Sequence, residues 1–198
     1  MGGDDGTLEF YTREAEQYAE FSAGHSPTDI MDAFADLVPA GGTVLDFGCG
    51  SAWAANRFQG MGFVVSGFDG SAGLAEQARA RYGIDVAVGR FEEFSDIQAY
   101  DGIWASFCLL HDSRAALPGH LTRLQQALRP GGALYVGLIS GDGEQRDGFG
   151  RLYTYFSEVE MRRALEAAGF SILDVKLTPG KRYDGAPIEE LHLYARKA

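Results

Sequence analysis

Apolar residues in this chain fall into short runs separated by stretches of helical period. Residues 43–47 (Thr-Val-Leu-Asp-Phe) are β-branched and apolar and are stopped by glycines on both sides, which reads as a strand. Residues 63–68, 85–88, 100–105 and 133–139 repeat that pattern. The runs are nearly continuous rather than alternating, as expected for parallel strands covered on both faces. Between them the period changes. Ser26-Pro27 reads as an N-cap with proline at the first helical position, after which Ile30, Phe34 and Leu37 mark one face. Ser71 is positioned to cap a helix running to Gly83. Leu117, Leu121, Leu124 and Leu128 recur at three- and four-residue steps before Arg129-Pro130-Gly131-Gly132 ends that helix. Ser157 and Glu160 form a capping box, with Met161, Leu165 and Ala168 on the buried stripe and Gly169 closing the helix.

Strand and helix in alternation predict an α/β fold with a doubly wound, mainly parallel sheet and helices on both faces. The end of the chain differs. Residues 171–177 and 189–195 are two strands with no helix between them, so they should form an antiparallel hairpin at the end of the sheet. No repeat, low-complexity tract or linker divides the chain. The expectation is one domain over residues 1–198, with a helical cap over 1–40 and the α/β core over 41–198.

Charge narrows the partners. The chain carries 28 carboxylates against 17 basic residues, a net of −11. Nucleic-acid binding draws on clustered Lys and Arg, so a polynucleotide substrate is disfavoured. The first residues, Met-Gly-Gly-Asp-Asp-Gly, have no apolar h-region, and Gly6 stands where a myristoylation motif wants Ser or Thr. The best apolar run, 133–139, is far too short for a membrane span. Cys49 and Cys108 are isolated and lack zinc-site spacing. A cytoplasmic protein with no membrane partner and no metal is expected.

Candidate chemistry begins after the first strand, because ligands of open α/β sheets bind beyond the carboxyl ends of the strands near the switch point. There the chain reads Val44-Leu45-Asp46-Phe47-Gly48-Cys49-Gly50-Ser51-Ala52. Glycines at 48 and 50 allow close backbone approach to a ligand, although a plain tight turn would show the same pair. A dinucleotide fingerprint would need glycine at position 53, where this chain has Trp53. Asp46 also sits where a pyrophosphate is least welcome. A ligand without phosphate, bearing a positive α-amino group, suits the loop better. Asp69 ends the second strand about 20 residues on, where a carboxylate can take both ribose hydroxyls. Gly89-Arg90-Phe91-Glu92-Glu93-Phe94 follows the third strand and brings an aromatic and polar groups where an adenine would lie.

Asp-Phe-Gly-Cys-Gly-Ser, Phe-Asp-Gly-Ser, Gly-Arg-Phe-Glu-Glu-Phe and Leu-Arg-Pro-Gly-Gly, in that order and at those intervals, resemble the successive motifs of class I S-adenosylmethionine-dependent methyltransferases. The likeness runs from about Tyr11 to the C-terminus. It implies a Rossmann-like, seven-stranded sheet with the last strand antiparallel, and S-adenosylmethionine as cofactor, leaving as S-adenosylhomocysteine. By the same resemblance Gly48, Cys49 and Gly50 approach the methionine part, Asp46 anchors the loop, Asp69 binds the ribose, and Arg90 and Phe91 flank the adenine. Gly70, in the second of these motifs, and Ser106, just after the fourth strand, complete the cofactor set. Ala52 departs from the family pattern, which often has a third glycine there.

The acceptor side is less defined. Methyl transfer is an in-line displacement in which positioning supplies most of the catalysis, and a base is needed only if the acceptor must lose a proton. His111, just past the fourth strand, is the candidate base; the competing reading is a residue capping the following turn with Asp112. His25, His120 and His192 read as surface or packing residues. Tyr11 and Tyr18 lie on the N-terminal helix that, by resemblance, closes over the cofactor, so their rings either face the sulfonium or pack as ordinary helix neighbours. Residues 141–156, rich in glycine and aromatics with Arg151, Tyr153 and Tyr155, read as a substrate lid. Lys181-Arg182, in the loop 178–187, should emerge at the same face, to meet an acidic acceptor or simply water. The leading expectation is a methyltransferase for a small-molecule acceptor. The alternatives are a non-catalytic S-adenosylmethionine-binding interaction module and, counted against by Trp53 and Asp46, a nicotinamide-dependent oxidoreductase.

Overall fold

A computed structural model describes residues 4–23 and 28–198. The Ser26-Pro27 cap and His25 lie outside the described residues. Helix α1 (Asp5–Arg13) is capped by Asp4, whose carboxylate accepts from Thr7 N at 2.8 Å. It breaks at Glu14, so Tyr18 belongs to a second helix, α2 (Ala15–Ser22), and not to one continuous N-terminal helix. Helix α3 (Thr28–Ala35) then leads to strand β1 (Thr43–Phe47), followed by α4 (Trp53–Gly60), β2 (Val64–Asp69), α5 (Ala72–Tyr82), β3 (Val86–Val88) and β4 (Tyr100–Ser106). The rest is α6 (Leu117–Ala127), β5 (Leu128–Ile139), β6 (Glu144–Arg146), β7 (Leu152–Thr154), α7 (Glu158–Ala167), β8 (Phe170–Lys181) and β9 (Pro187–Lys197).

Seven strands form one sheet in the order β3-β2-β1-β4-β5-β9-β8. Strands β1 to β5 are parallel, and β9 inserts antiparallel between β5 and β8. The period-2 alternation divides the sheet's apolar residues between two cores. Leu45, Ile103, Leu134, Val136 and Leu193 face α6 and α7 through Leu121, Leu124, Met161 and Leu165. Val44, Trp104, Tyr135 and Tyr194 face α3 and α4 through Ile30, Phe34 and Phe58. The predicted caps form: Ser71 accepts from Leu74 N at 3.2 Å, and Ser157 and Glu160 make their reciprocal box.

The structure extends three predicted elements. Strand β5 begins at Leu128 rather than 133, because the Arg-Pro-Gly-Gly stretch stays extended and Leu128 pairs with Tyr100 across an irregularity. The terminal hairpin pairs as far as Lys181 opposite Pro187, which shortens the expected loop to a tight tip. Residues 141–156 are not structureless: β6 and β7 pair there as a hairpin. Its turn is held by Asp147, whose Oδ1 accepts from Phe149 N at 2.9 Å and Arg151 N at 3.0 Å.

Candidate functional site

The strand order reverses between β1 and β4, and a cavity of about 700 Å³ opens there, at the carboxyl ends of the strands. Its floor is the loop after β1. Gly48 has φ +68°, and a Cβ on it would stand 2.2 Å from the Cys108 Cβ, so the chain turns here only with glycine. Ala52, at the family's third glycine position, has φ +60°, the left-handed conformation that glycine adopts without strain. Two buried carboxylates hold the loop. Asp46 accepts from Ala55 N at 3.0 Å at the start of α4. Asp69 bridges the two loops, taking Gly50 N on Oδ2 and Ser71 N on Oδ1, both at 2.8 Å. Burial raises both acids, Asp46 to about 7, and neither has a cationic partner among the described residues. Burial likewise raises the thiols of Cys49 and Cys108 well above their ordinary range, which keeps both protonated.

The roof is α1 locked to the β6–β7 hairpin. Arg146 forks onto Asp4 at 2.6 and 2.8 Å, and Leu152 N donates to Thr7 Oγ1 at 2.9 Å. Arg151, 1% exposed, pairs with the equally buried Asp147 at 2.7 Å, and its guanidinium lies over the rings of Phe10 and Tyr153. His111 joins roof to floor. Its Nδ1 contacts Leu152 O at 2.7 Å, and a carbonyl only accepts, so Nδ1 carries the hydrogen. Nε2 is therefore bare and accepts from the Tyr11 hydroxyl at 2.8 Å, while Arg151 Nη1 donates to the same hydroxyl at 3.2 Å. Burial lowers the imidazole to about 4, so the ring is neutral. The His111 ring does not cap the following turn, since its nitrogens go to Leu152 O and Tyr11 Oη; Asp112 alone bonds that turn, accepting from Ser113 N at 2.6 Å, with His120 at 2.7 Å on its other oxygen.

Every expected cofactor residue lines this one cavity: Tyr11, Asp46, Gly48, Cys49, Gly50, Asp69, Gly70, Arg90, Phe91 and Ser106, with His111 beside them. Phe91 packs on Phe47 at 4.6 Å, and Arg90 forms an ion pair with Asp5 of α1. Tyr18 reaches the cavity wall with its ring 4.7 Å from that of Tyr11. Arg151, Tyr153, Lys181 and Arg182 also line the cavity, with Arg182 already paired to Asp184 at 2.8 Å. His120 and His192 are buried and hydrogen-bonded in the core. Several lining residues escaped the sequence reading, Phe21, Tyr183, Trp104 and Glu190 among them. Trp104 stood only as part of a strand, and Glu190 on β9 was hidden in an acidic pair at the start of one.

A profile described as "Methyltransferase domain" matches residues 16–175. The chain belongs to that family, the class I S-adenosylmethionine-dependent methyltransferases. Solved structures repeat its fold. A 1,6-didemethyltoxoflavin-N1-methyltransferase of Burkholderia thailandensis, solved with 1,6-didemethyltoxoflavin and S-adenosylhomocysteine bound, superposes with a TM-score of 0.81 at 22% identity, over 98% of this chain and 88% of that one. An S-adenosylmethionine-dependent methyltransferase of Methanosarcina mazei gives 0.68 at 20% identity, over 83% and 96%. The cyclase SpnF gives 0.75 at 17% identity, over 96% and 94%, so the fold also carries other chemistry. A search of curated proteins finds no match. The methyltransferase's own residues suit its cofactor. Two buried carboxylates without cations call for hydroxyls and an ammonium group and repel phosphate. Among the described residues no helix is long and apolar enough to cross a membrane.

Proposed function

We propose that this methyltransferase acts on a small molecule, and the observation that carries this is the roof. With α1 bonded to the hairpin through Arg146–Asp4 and Leu152–Thr7, part of the cavity mouth is covered, which favours a small acceptor over a polymer laid across it. The Burkholderia protein's heteroaromatic ligand belongs to that protein, yet flat acceptors suit this cavity as well. Tyr18, Phe21 and Tyr183 line it, with Tyr183 4.9 Å from Phe21 and 5.7 Å from Tyr18.

The cofactor supplies a methyl carbon already activated by a sulfonium. The Asp69 carboxylate, held by the backbone of Gly50, Ser71 and Gly70, would keep acceptor capacity for the ribose hydroxyls. Gly70, Arg90 and Phe91 would hold the adenine end, and Gly48, Cys49, Gly50 and Ser106 the amino-acid end. Tyr11 lines the cavity and directs its hydroxyl to His111 Nε2. When the acceptor carries a proton, that proton enters at Tyr11 Oη as the hydroxyl's own hydrogen passes to His111 Nε2. With the imidazole near 4, this pair holds a proton only transiently, and positioning carries most of the rate. The test is a panel of planar heteroaromatic acceptors, 1,6-didemethyltoxoflavin among them, followed by S-adenosylhomocysteine release. Turnover of a member that depends on Asp69 supports the reading; turnover only with RNA or protein added refutes it.

A further inference from the structure

The two edges of the large sheet end differently. Strand β3, at one edge, is three residues long, whereas β8, at the other, runs twelve residues, Phe170–Lys181, and pairs only with β9. A short edge protects itself by its length, while a long one presents a row of free N–H and C=O groups to another strand. Among the described residues no backbone group of β8 bonds to other backbone beyond its ladder with β9. The edge also carries apolar side chains. Val175 and Leu177 stand opposite Leu193 and Leu191 and so share the face that packs towards α7, and alternation puts Leu173 on that face too. Leu173 is 45% and Leu177 47% exposed, so this row is only partly covered. Asp174 and Lys176 stand opposite Tyr194 and His192 on the other face. Their charged groups lie 4.0 Å apart, at the limit of an ion pair, and both side chains are exposed.

This edge is complementary to itself. Residues opposite each other in an antiparallel pair share a face, so two copies of β8 related by a two-fold axis can match only residues of the same parity. With the axis at Val175, Asp174 of each copy faces Lys176 of the other, and Leu173 faces Leu177. Moving the axis one residue either way sets Asp174 against Asp174 or Lys176 against Lys176, which like charge disfavours. Pro179 has no N–H to give and falls opposite Ser171, so it ends the pairing symmetrically on both sides.

We propose that β8 is a self-association edge, on which a second copy of this chain adds its own β8 antiparallel about Val175 and continues the sheet across a two-fold axis. In the single chain Val175 N donates to Asp174 Oδ1 at 2.9 Å. In the pair a carbonyl of the other copy takes that N–H, and the carboxylate turns to Lys176 of the other copy. Sedimentation velocity of the full-length protein between roughly 1 µM and 1 mM should show monomer passing to dimer. Asp174→Lys and Lys176→Asp each oppose like charges twice, once on either side of the axis, and should weaken the dimer roughly tenfold or more. The double exchange, Asp174→Lys with Lys176→Asp, puts opposite charges back across the axis and should return the dimer to within about threefold of the unaltered protein. A residue that merely supports the strand would show no such rescue. Hydrogen exchange on the unaltered protein is the second measurement: amides between 172 and 178 should become more protected as the dimer forms. A protein that stays monomeric throughout overturns the proposal. So does a dimer that both single reversals leave intact, that the double exchange fails to restore, or that leaves the β8 amides unprotected. Should a variant fail to fold, exchange on the unaltered protein decides alone.

Discussion

Asp46→Asn should stabilise the ligand-free protein, and by an amount that depends on pH. Asp46 is 2% exposed, and burial lifts its carboxyl from 3.8 to about 7. A carboxyl raised on folding binds more protons in the folded state across that window, so its effect on stability worsens as pH rises from about 4 to 7. At 1.36 kcal/mol per pH unit, the raised value costs the fold about 1.7 kcal/mol at pH 5, where only the unfolded chain ionises, and about 4 kcal/mol at pH 8. Asparagine keeps the shape and the bond from Ala55 N but has nothing to ionise. Urea unfolding of both proteins at pH 5 and pH 8, without ligand, isolates this group, since other titrations cancel in the difference. Asp46→Asn should gain about 2.5 kcal/mol on the unaltered protein between the two pH values. The same change should weaken S-adenosylhomocysteine binding, the usual opposition of stability and function at a binding site. A stability difference that is flat in pH, or that favours aspartate more at pH 8, refutes the argument that Asp46 is held for its ligand.

Asp69→Ala should leave a folded protein that binds S-adenosylhomocysteine roughly tenfold to a hundredfold more weakly by calorimetry, about 1.5–3 kcal/mol. His111→Ala should lower turnover on an identified acceptor by roughly 10²–10⁴-fold with cofactor affinity unchanged. Because burial places the imidazole near 4, the rate should show no limb from this group between pH 6 and 8, and should fall only as pH drops towards 4; near-equal rates of mutant and parent would remove His111 from the chemistry. Arg151→Met strands the buried Asp147 carboxylate and should cost about 3–5 kcal/mol in chemical denaturation. Adding Asp147→Asn should recover part of that loss; strict additivity would mean the pair is not coupled.

The floor of the site was legible in the sequence because short-range chemistry decides it. Asp46, the two glycines and Asp69 each sit at a strand end, and strand ends announce themselves through apolar runs broken by glycine. Ser71 and the Ser157–Glu160 box were readable for the same reason, a cap needing only three residues of context. The roof was not. The partners of His111 are Tyr11, 100 residues earlier, and Leu152, 41 later, and no local spacing announces such pairs. Its neighbour Asp112 looked like the local partner, but the chain uses it to satisfy His120 eight residues on. Arg151 reads from the sequence only as one residue of a glycine-rich substrate lid. It is buried because Asp147 and a cluster of rings replace its water. Trp104 was visible as a strand residue, but only the packed structure shows its N–H unpaired.

The central claim is that this methyltransferase delivers its methyl group to a small molecule inside a partly covered cavity. Supplying S-adenosylmethionine labelled in the methyl group, with a cell extract separated by size, tests it most directly. The account predicts label in the low-molecular-weight fraction, lost with Asp69→Ala; label confined to the RNA or protein fraction would contradict it.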